Sequence, residues 1–333
     1  MIMKRNNILV TGASGFVGQF LLERLIQTDC NMIVALHNKS LKKSIRERCG
    51  DQIIWKNTNL VSDDCCGLLT DIDIVFHLAG YSSVFSSKEE IDLLQRVNVG
   101  VTKKLAEECL TSPVRQFIFV SSITVCECSV SEVIDETNGT PVTPYGDSKK
   151  KAEDTLIEIA DGHYAVTILR PTSLFGEYHK GSIYELVQSV KFHRFVIFGS
   201  GNNMTNFYYI RDFIELLINV KDNNRAFNQV FIASDNAFQL VTLIEWIVES
   251  LKCRSYILKV PVWIGYIAGF ILDVIAYLTN KTFQFSLRRL RAMTRDVVYL
   301  NRKSINTLNV KPKYGVHQGI INTIEWYDNN GLL

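Results

Sequence analysis

"ILVTGASGFVGQFLLERL", Ile8 to Leu25, sets three glycines between a short apolar run and an amphipathic stretch. The run reads as a buried strand, and the residues after Gly15 read as a helix. A glycine at 12 permits a tight turn, one at 15 lets a diphosphate approach the backbone, and one at 18 lets the helix pack close to the sheet. The helix N-terminus would then present N–H groups and a partial positive charge to the phosphates. A glycine string in this position, after a first strand and opening a helix, predicts a dinucleotide-binding βα unit.

Outward from that unit, short β-branched runs alternate with helical stretches. Asn7–Thr11, Met32–His37, Gln52–Trp55, Ile74–Leu78, Gln116–Ser121 and Ala165–Arg170 read as strands, with helices such as Phe16–Gln27 and Glu89–Leu110 between them. Right-handed crossovers turn this alternation into a doubly wound parallel α/β sheet of Rossmann type. After Arg170-Pro171 the pattern loosens into helices near 183–191, 212–220 and 240–251 and short strands near 195–198 and 229–232. We therefore expect a Rossmann domain over 1–175 and a smaller, mostly helical substrate lobe over 176–333, with strand exchange back to the sheet left open.

The 333 residues are 47% hydrophobic and 21% charged, enough for a substantial core. A net charge of +2 gives no electrostatic footprint for nucleic acid, so the expected partner is a small molecule. Eight scattered cysteines, and a Met1–Val10 segment too short for a secretory apolar region, point to reduced thiols in a cytoplasm. Cys65-Cys66 and Cys126-Glu127-Cys128 lack partners at tetrahedral spacing, so no metal site is expected.

"TPYGDSKKKAEDTL", Thr143 to Leu156, places Tyr145 and Lys149 four apart, on one face of a helix. A phenol near pKa 10 is a poor base, and a neighbouring ammonium favours its phenolate. "FIFVSSITV" brings Ser121 and Ser122, and "VFHLAG" brings His77 to Gly80, to the carboxyl edge of the sheet, where open α/β sheets bind ligands. Together with TGxxGxxG (Thr11 to Gly18), Asn98-Val99 and RPxxxFG (Arg170 to Gly176), these resemble the extended short-chain dehydrogenase/reductase family, of the sugar-nucleotide epimerase/dehydratase type.

The resemblance implies Tyr145, Lys149 and Ser122 as catalytic residues, Ser122 rather than Ser121 because it immediately precedes "ITV". It implies coenzyme contacts from Gly12, Ser14, Gly15, Phe16, Val17 and Gly18, from His37 and Lys39, and from Asn59 and Leu60. Leu78, Ala79, Gly80, Asn98, Lys149 and Pro171 complete that set. It further implies a nucleotide-sugar substrate, a setting in polysaccharide biosynthesis, and a homodimer formed by the helices around 89–110 and 148–159. The second strand ends "VALHNKS", without the carboxylate that would select NAD over NADP, and Lys42 and Lys43 follow; NADP is expected first and NAD second.

Departures bear on the substrate. The family's Asp-Leu appears as Asn59-Leu60, Cys126 replaces a tyrosine, Ser173 stands where an asparagine is common, and Thr205-Asn206 occupy the usual place of a diphosphate-clamping arginine. Arg211, Arg291 or Arg295 would have to supply that clamp. The first reading is reduction of a keto-sugar nucleotide, with C4 epimerisation as its close relative. Dehydration ranks lower, since only Glu127 offers an additional acid. The alternative is a lipophilic carbonyl or hydroxyl substrate, as in hydroxysteroid dehydrogenase-like and dihydroflavonol reductase-like members, and a non-enzymatic coenzyme sensor ranks last.

"VPVWIGYIAGFILDVIAYL", Val260 to Leu278, is slightly short for a membrane span and is interrupted by Asp273. It reads first as a helix lining a pocket of the second lobe. The second reading is a peripheral membrane contact supported by Arg288, Arg289, Arg291 and Arg295.

Overall fold

The computed structural model describes residues 6–38, 43–83, 87–126, 133–137, 140–193, 195–252, 258–279 and 287–333. Its main sheet contains seven strands: β1 (Asn6–Thr11), β2 (Cys30–His37), β3 (Ile53–Asn57), β4 (Ile74–His77), β5 (Gln116–Val120), β6 (Ala165–Pro171) and β7 (Gln229–Ala233). All are parallel, in the order β7-β6-β5-β4-β1-β2-β3. The helices are α1 (Phe16–Leu25), α2 (Lys43–Cys49), α3 (Lys88–Leu94), α4 (Val101–Cys109), α5 (Pro144–Ala160), α6 (Ser182–Lys191), α7 (Ile210–Val220), α8 (Leu240–Leu251), α9 (Val262–Thr279), α10 (Leu287–Thr294), α11 (Arg302–Leu308) and α12 (Gly315–Asn329).

Helices cover both faces of the sheet, so its central strands are apolar throughout instead of alternating. Ile8-Leu9-Val10, Ile74-Val75-Phe76 and Phe117-Ile118-Phe119 are wholly buried. One core cluster joins Leu9, Val75 and Phe117 to Val101 and Leu105 of α4 and Leu156 of α5. β1 pairs with β2 on one side and β4 on the other, and the chain order reverses there. This is the topological switch point, where ligands of such sheets bind.

The chain divides into two compact units. The first comprises 1–172, 210–234 and 300–313, and the second 173–209, 235–299 and 314–333. β7 therefore lies beside β6 in the main sheet, in register Phe231↔Leu169, although its sequence reads as part of the later lobe. α7 likewise belongs to the first unit and packs on α1, where Arg24 Nε donates to Glu215 Oε1 at 2.7 Å.

The second unit is built from α6, α8, α9, α10 and α12 with three short strand pairs, 173–175 with 207–209, 196–198 with 258–260, and 204–205 with 238–239. Gly319 of α12 lies so close to Tyr209 that an added Cβ would stand 2.7 Å from its ring. The Tyr209 hydroxyl donates to buried Glu177 at 3.0 Å.

Candidate active site

The glycine turn leaves β1 at Thr11. Gly12 has φ +66°, and a Cβ there would meet the Ala79 backbone nitrogen at 2.7 Å; both its conformation and its neighbour require glycine. A Cβ at Gly18 would stand 2.4 Å from the Gly12 carbonyl oxygen, which is how α1 approaches the turn so closely. At Gly15, by contrast, the nearest protein atom would be the Gly12 oxygen at 3.1 Å, and the residue faces the cleft. The first turn of α1 carries neither a capping side chain nor an acidic residue. A nicotinamide dinucleotide fits this cradle: its diphosphate finds a glycine surface at an uncapped helix start.

The cleft beside the turn is lined by Gly12, Ser14 and Gly15, by Leu36, His37 and Asn38, by Thr58 to Val61, and by Leu78 to Gly80. Val97 and Val101 close it from the neighbouring helix. His37, Asn59 and Leu60 thus lie where sequence places them. No carboxylate is among the lining residues. Asn59 Oδ1 accepts from Val61 N at 3.2 Å, so its oxygen shapes its own turn. Lys39 lies outside the described residues, as do Lys42 and Glu127.

Phe16, Val17 and Gly18 form the start of α1 and do not line the cleft; nor does Pro171, which ends β6. Asn98 is also set back. It sits in a π-helical turn, Gln95–Gly100, between α3 and α4, a feature frequent at functional sites. Its Oδ1 accepts from Tyr81 N at 2.8 Å, and its Nδ2 donates to Tyr81 O and Ser148 Oγ, each at 2.9 Å. It ties the loop after β4 to α5, which is a positioning role.

Sequence inspection misses the part played by Thr11. Its Oγ1 accepts from Leu78 N at 3.2 Å and Ala79 N at 3.1 Å, and lies 2.7 Å from His77 Nδ1. Burial pulls His77 down to about 3, so the ring is neutral, wedged between Thr11 and Thr102. Its role is to hold two strand ends together.

α5 starts at Thr143, whose side chain accepts from Gly146 N at 3.1 Å, with Pro144 in the first turn. This start fixes Tyr145 in the first turn and Lys149 one turn later. The Tyr145 hydroxyl is hydrogen-bonded to Ser122. Ser122 Oγ accepts from Thr124 Oγ1 at 2.9 Å, which leaves its own proton for Tyr145. Thr124 is thus a further positioning residue, one that only the geometry reveals. Ser121 Oγ is buried and has no partner among the described residues, and Ser122 is the serine brought to the phenol.

Lys149 is buried, and its Nζ donates to Val120 O at 2.8 Å and lies 4.1 Å from the Phe119 ring centroid. Burial pulls it down to about 7, against the opposing pull of Glu153. A methyl at Gly80 would be 3.9 Å from Nζ, so the lysine adjoins the cleft lining. The expectation that Lys149 depresses the Tyr145 value requires correction. Burial pushes the phenol up, and what works against burial is the Ser122 hydrogen bond; Lys149 instead directs its ammonium at the end of β5.

Behind this group Arg170 forms a buried two-pronged pair with Glu153, Nε to Oε1 at 3.0 Å and Nη2 to Oε2 at 2.6 Å. Its Nη1 donates to Cys126 Sγ and to Glu136 O. The Cys126 that departs from the family's tyrosine is thereby a buried partner of Arg170. Among the described residues no group of histidines, cysteines or carboxylates is arranged to hold a metal.

A doubly wound sheet with a glycine cradle at its switch point, and a Ser/Tyr/Lys group on the adjoining strand end and helix, defines a dinucleotide-dependent enzyme of the short-chain dehydrogenase type. Residues 8–232 match the model of the NAD dependent epimerase/dehydratase family, and the chain belongs to that family. It is 27% identical over 336 residues to N-acetyl-alpha-D-glucosaminyl-diphospho-ditrans,octacis-undecaprenol 4-epimerase of Escherichia coli O157:H7, covering 96% of this chain and 95% of that protein. It is 29% identical to UDP-glucose 4-epimerase of Vibrio cholerae, over 77% of this chain and 79% of that one. The fold is shared with UDP-glucuronic acid 4-epimerase from Bacillus cereus in complex with NAD, at a TM-score of 0.77 and 18% identity over 97% and 99% of the two chains.

Proposed function

We propose that the chain inverts the C4 configuration of a sugar carried on a diphosphate. The observation that carries the reading is the hydrogen-bonded Thr124–Ser122–Tyr145 series beside Lys149 and the dinucleotide cleft. Sequence alone leans toward keto-sugar reduction; two relatives named as 4-epimerases, one of them matched along nearly its whole length, shift the reading to epimerisation. Those names put the sugar on a diphospho-undecaprenol or a UDP carrier, and we extend the diphosphate carrier to this chain.

A nicotinamide dinucleotide, held by Gly12, Ser14, Gly15 and Leu78 to Gly80, would supply a reversible hydride acceptor for C4. As its phenolate, Tyr145 takes the C4 hydroxyl proton as the C–H bond breaks, leaving a 4-keto sugar and a neutral phenol, and the phenol gives that proton back when the C–H bond re-forms. Ser122 donates its one proton to the Tyr145 oxygen and holds it in line. Lys149, held at the end of β5 beside the cleft lining, changes charge near neutrality. The carboxylate-free cleft beside His37 and Asn38 supports acceptance of NADP as well as NAD. A homodimer through α4 and α5 is part of the proposal, supported by the exposure of Ile157 on α5.

The test is C4 inversion, followed by NMR, of UDP-glucose, UDP-N-acetylglucosamine and polyprenyl-diphospho-N-acetylglucosamine, with the coenzyme carried by the purified protein identified beforehand. Inversion without net coenzyme consumption is expected. Tyr145→Phe should lower turnover by at least about 100-fold while coenzyme binding is unchanged. Stoichiometric coenzyme oxidation would instead make the chain a reductase, and full turnover by the phenylalanine variant would remove Tyr145 from the chemistry.

A further inference from the structure

We propose that α9 is a docking element that lays the second unit onto an anionic lipid bilayer. It is an 18-residue helix, Val262–Thr279, and its two faces differ. Gly265 and Gly269 lie one turn apart on the inner face; a Cβ at the first would stand 2.9 Å from Leu290 Cδ1, and at the second 3.0 Å from Leu287 Cδ2. α10 and the 196–198 strand therefore seat against a glycine strip. Asp273, the acidic residue of the helix, is turned to α10, where its Oδ2 accepts from Leu287 N at 3.2 Å.

The opposite face carries Trp263, Ile267, Phe270, Ile271, Val274 and Leu278, which fall within one helical stripe. Trp263 is 63%, Phe270 62% and Leu278 74% exposed. An exposed apolar stripe of this length exceeds the scattered exposed leucines of an ordinary surface and marks an interaction site. The expectation that this segment lines a pocket is thus not what its large side chains do.

Charge identifies the partner. Between Lys252 and Arg295 the sequence holds eight basic residues and one acidic residue, Asp273, in a chain whose whole net charge is +2. Lys259, just ahead of the apolar helix, and Arg291, on the α10 that packs against it, are exposed. A second copy of this surface would set like charge against like. An anionic bilayer offers the complement: headgroup phosphates for the lysines and arginines, acyl chains for the stripe, and a headgroup boundary suited to Trp263 and Tyr266. Among the described residues no helix is long and apolar enough to cross a membrane, so the arrangement is one of lying on the surface.

The inference is independent of the proposed chemistry, because its readout is binding. Full-length protein is sedimented with vesicles of phosphatidylcholine alone and of phosphatidylcholine with phosphatidylglycerol, at low and high salt. Binding to the anionic vesicles is expected to be at least tenfold tighter and to weaken with salt. Lipids brominated on the acyl chain should quench tryptophan emission, and the quenching should disappear in Trp263→Phe. The paired substitution of Ile267→Ser with Phe270→Ser, both surface positions, should cut vesicle binding at least tenfold and leave turnover of a water-soluble sugar nucleotide unchanged. Failure to sediment with either vesicle, or a stripe that instead drives self-association abolished by the paired substitution, would overturn the proposal.

Discussion

Lys149→Met tests the electrostatics of the site through stability alone. The lysine is 4% exposed, and the described contacts of its Nζ are the Val120 carbonyl at 2.8 Å and the Phe119 ring at 4.1 Å. Burial moves it from 10.5 to about 7, and Glu153 recovers part of that shift. The unfolded chain holds this proton up to about 10.5, whereas the folded chain releases it near 7. Between those values the unfolded state binds more protons, so this group makes stability rise with pH, approaching about 1.4 kcal/mol per pH unit. From pH 7 to pH 9, with half-release at the start, the gain is roughly 2 kcal/mol. Methionine has similar length and no proton, so the variant lacks this gain; His77, which the lysine also lowers, stays below the pH 7–9 window in both proteins. Urea denaturation of both proteins at pH 7, 8 and 9 should show the parent gaining on the variant at each step. A difference that stays flat, or that narrows with rising pH, would mean that the native lysine keeps its ordinary affinity for the proton, and the burial argument would fail.

Gly18→Ala places a methyl 2.4 Å from the Gly12 oxygen and 2.8 Å from Ala13 Cα, backbone atoms that cannot turn aside. A stability loss of about 1–3 kcal/mol and weaker coenzyme binding are expected, read by thermal denaturation and calorimetry; an unchanged protein would show that α1 can slide away from the turn. Glu153→Gln leaves the Arg170 guanidinium buried without its carboxylate, at an expected cost of roughly 3–5 kcal/mol. The same change should lower the Lys149 pKa further, measurable by NMR of labelled lysine, because Glu153 holds it up. A loss under about 1 kcal/mol would mean that the amide replaces the pair.

The sheet was legible because both periodicity and punctuation are local. Ile8-Leu9-Val10, Ile74-Val75-Phe76 and Phe117-Ile118-Phe119 are continuous apolar runs of the kind that two-sided burial demands, and each ends where a turn or loop begins. β7 was harder to place. Gln229–Ala233 is recognisable as a strand, but its neighbour, Ala165–Pro171, is some sixty residues earlier, and nothing in its own residues tells that the chain has crossed back. The glycine turn and YxxxK were legible for the same local reason as the first strands, since each is a spacing within one element.

What spacing could not supply is the direction of the charges. Tyr145 and Lys149 share a helix face, which suggests that the ammonium acts on the phenol. That inference omits β5, whose last carbonyl competes for the same ammonium and takes it. It also omits Arg170, which enters from β6, occupies Glu153, and so ties up the carboxylate that raises Lys149. The phenol is left with Ser122, whose proton is aimed by Thr124 in the 3-10 turn just beyond β5. Ser122 is therefore the group that works against burial at the Tyr145 phenol, while Lys149, pulled down to about 7, responds to pH. The proposed catalytic group is a product of three elements meeting, β5, β6 and α5, and its electrostatics belong to the junction more than to the motif.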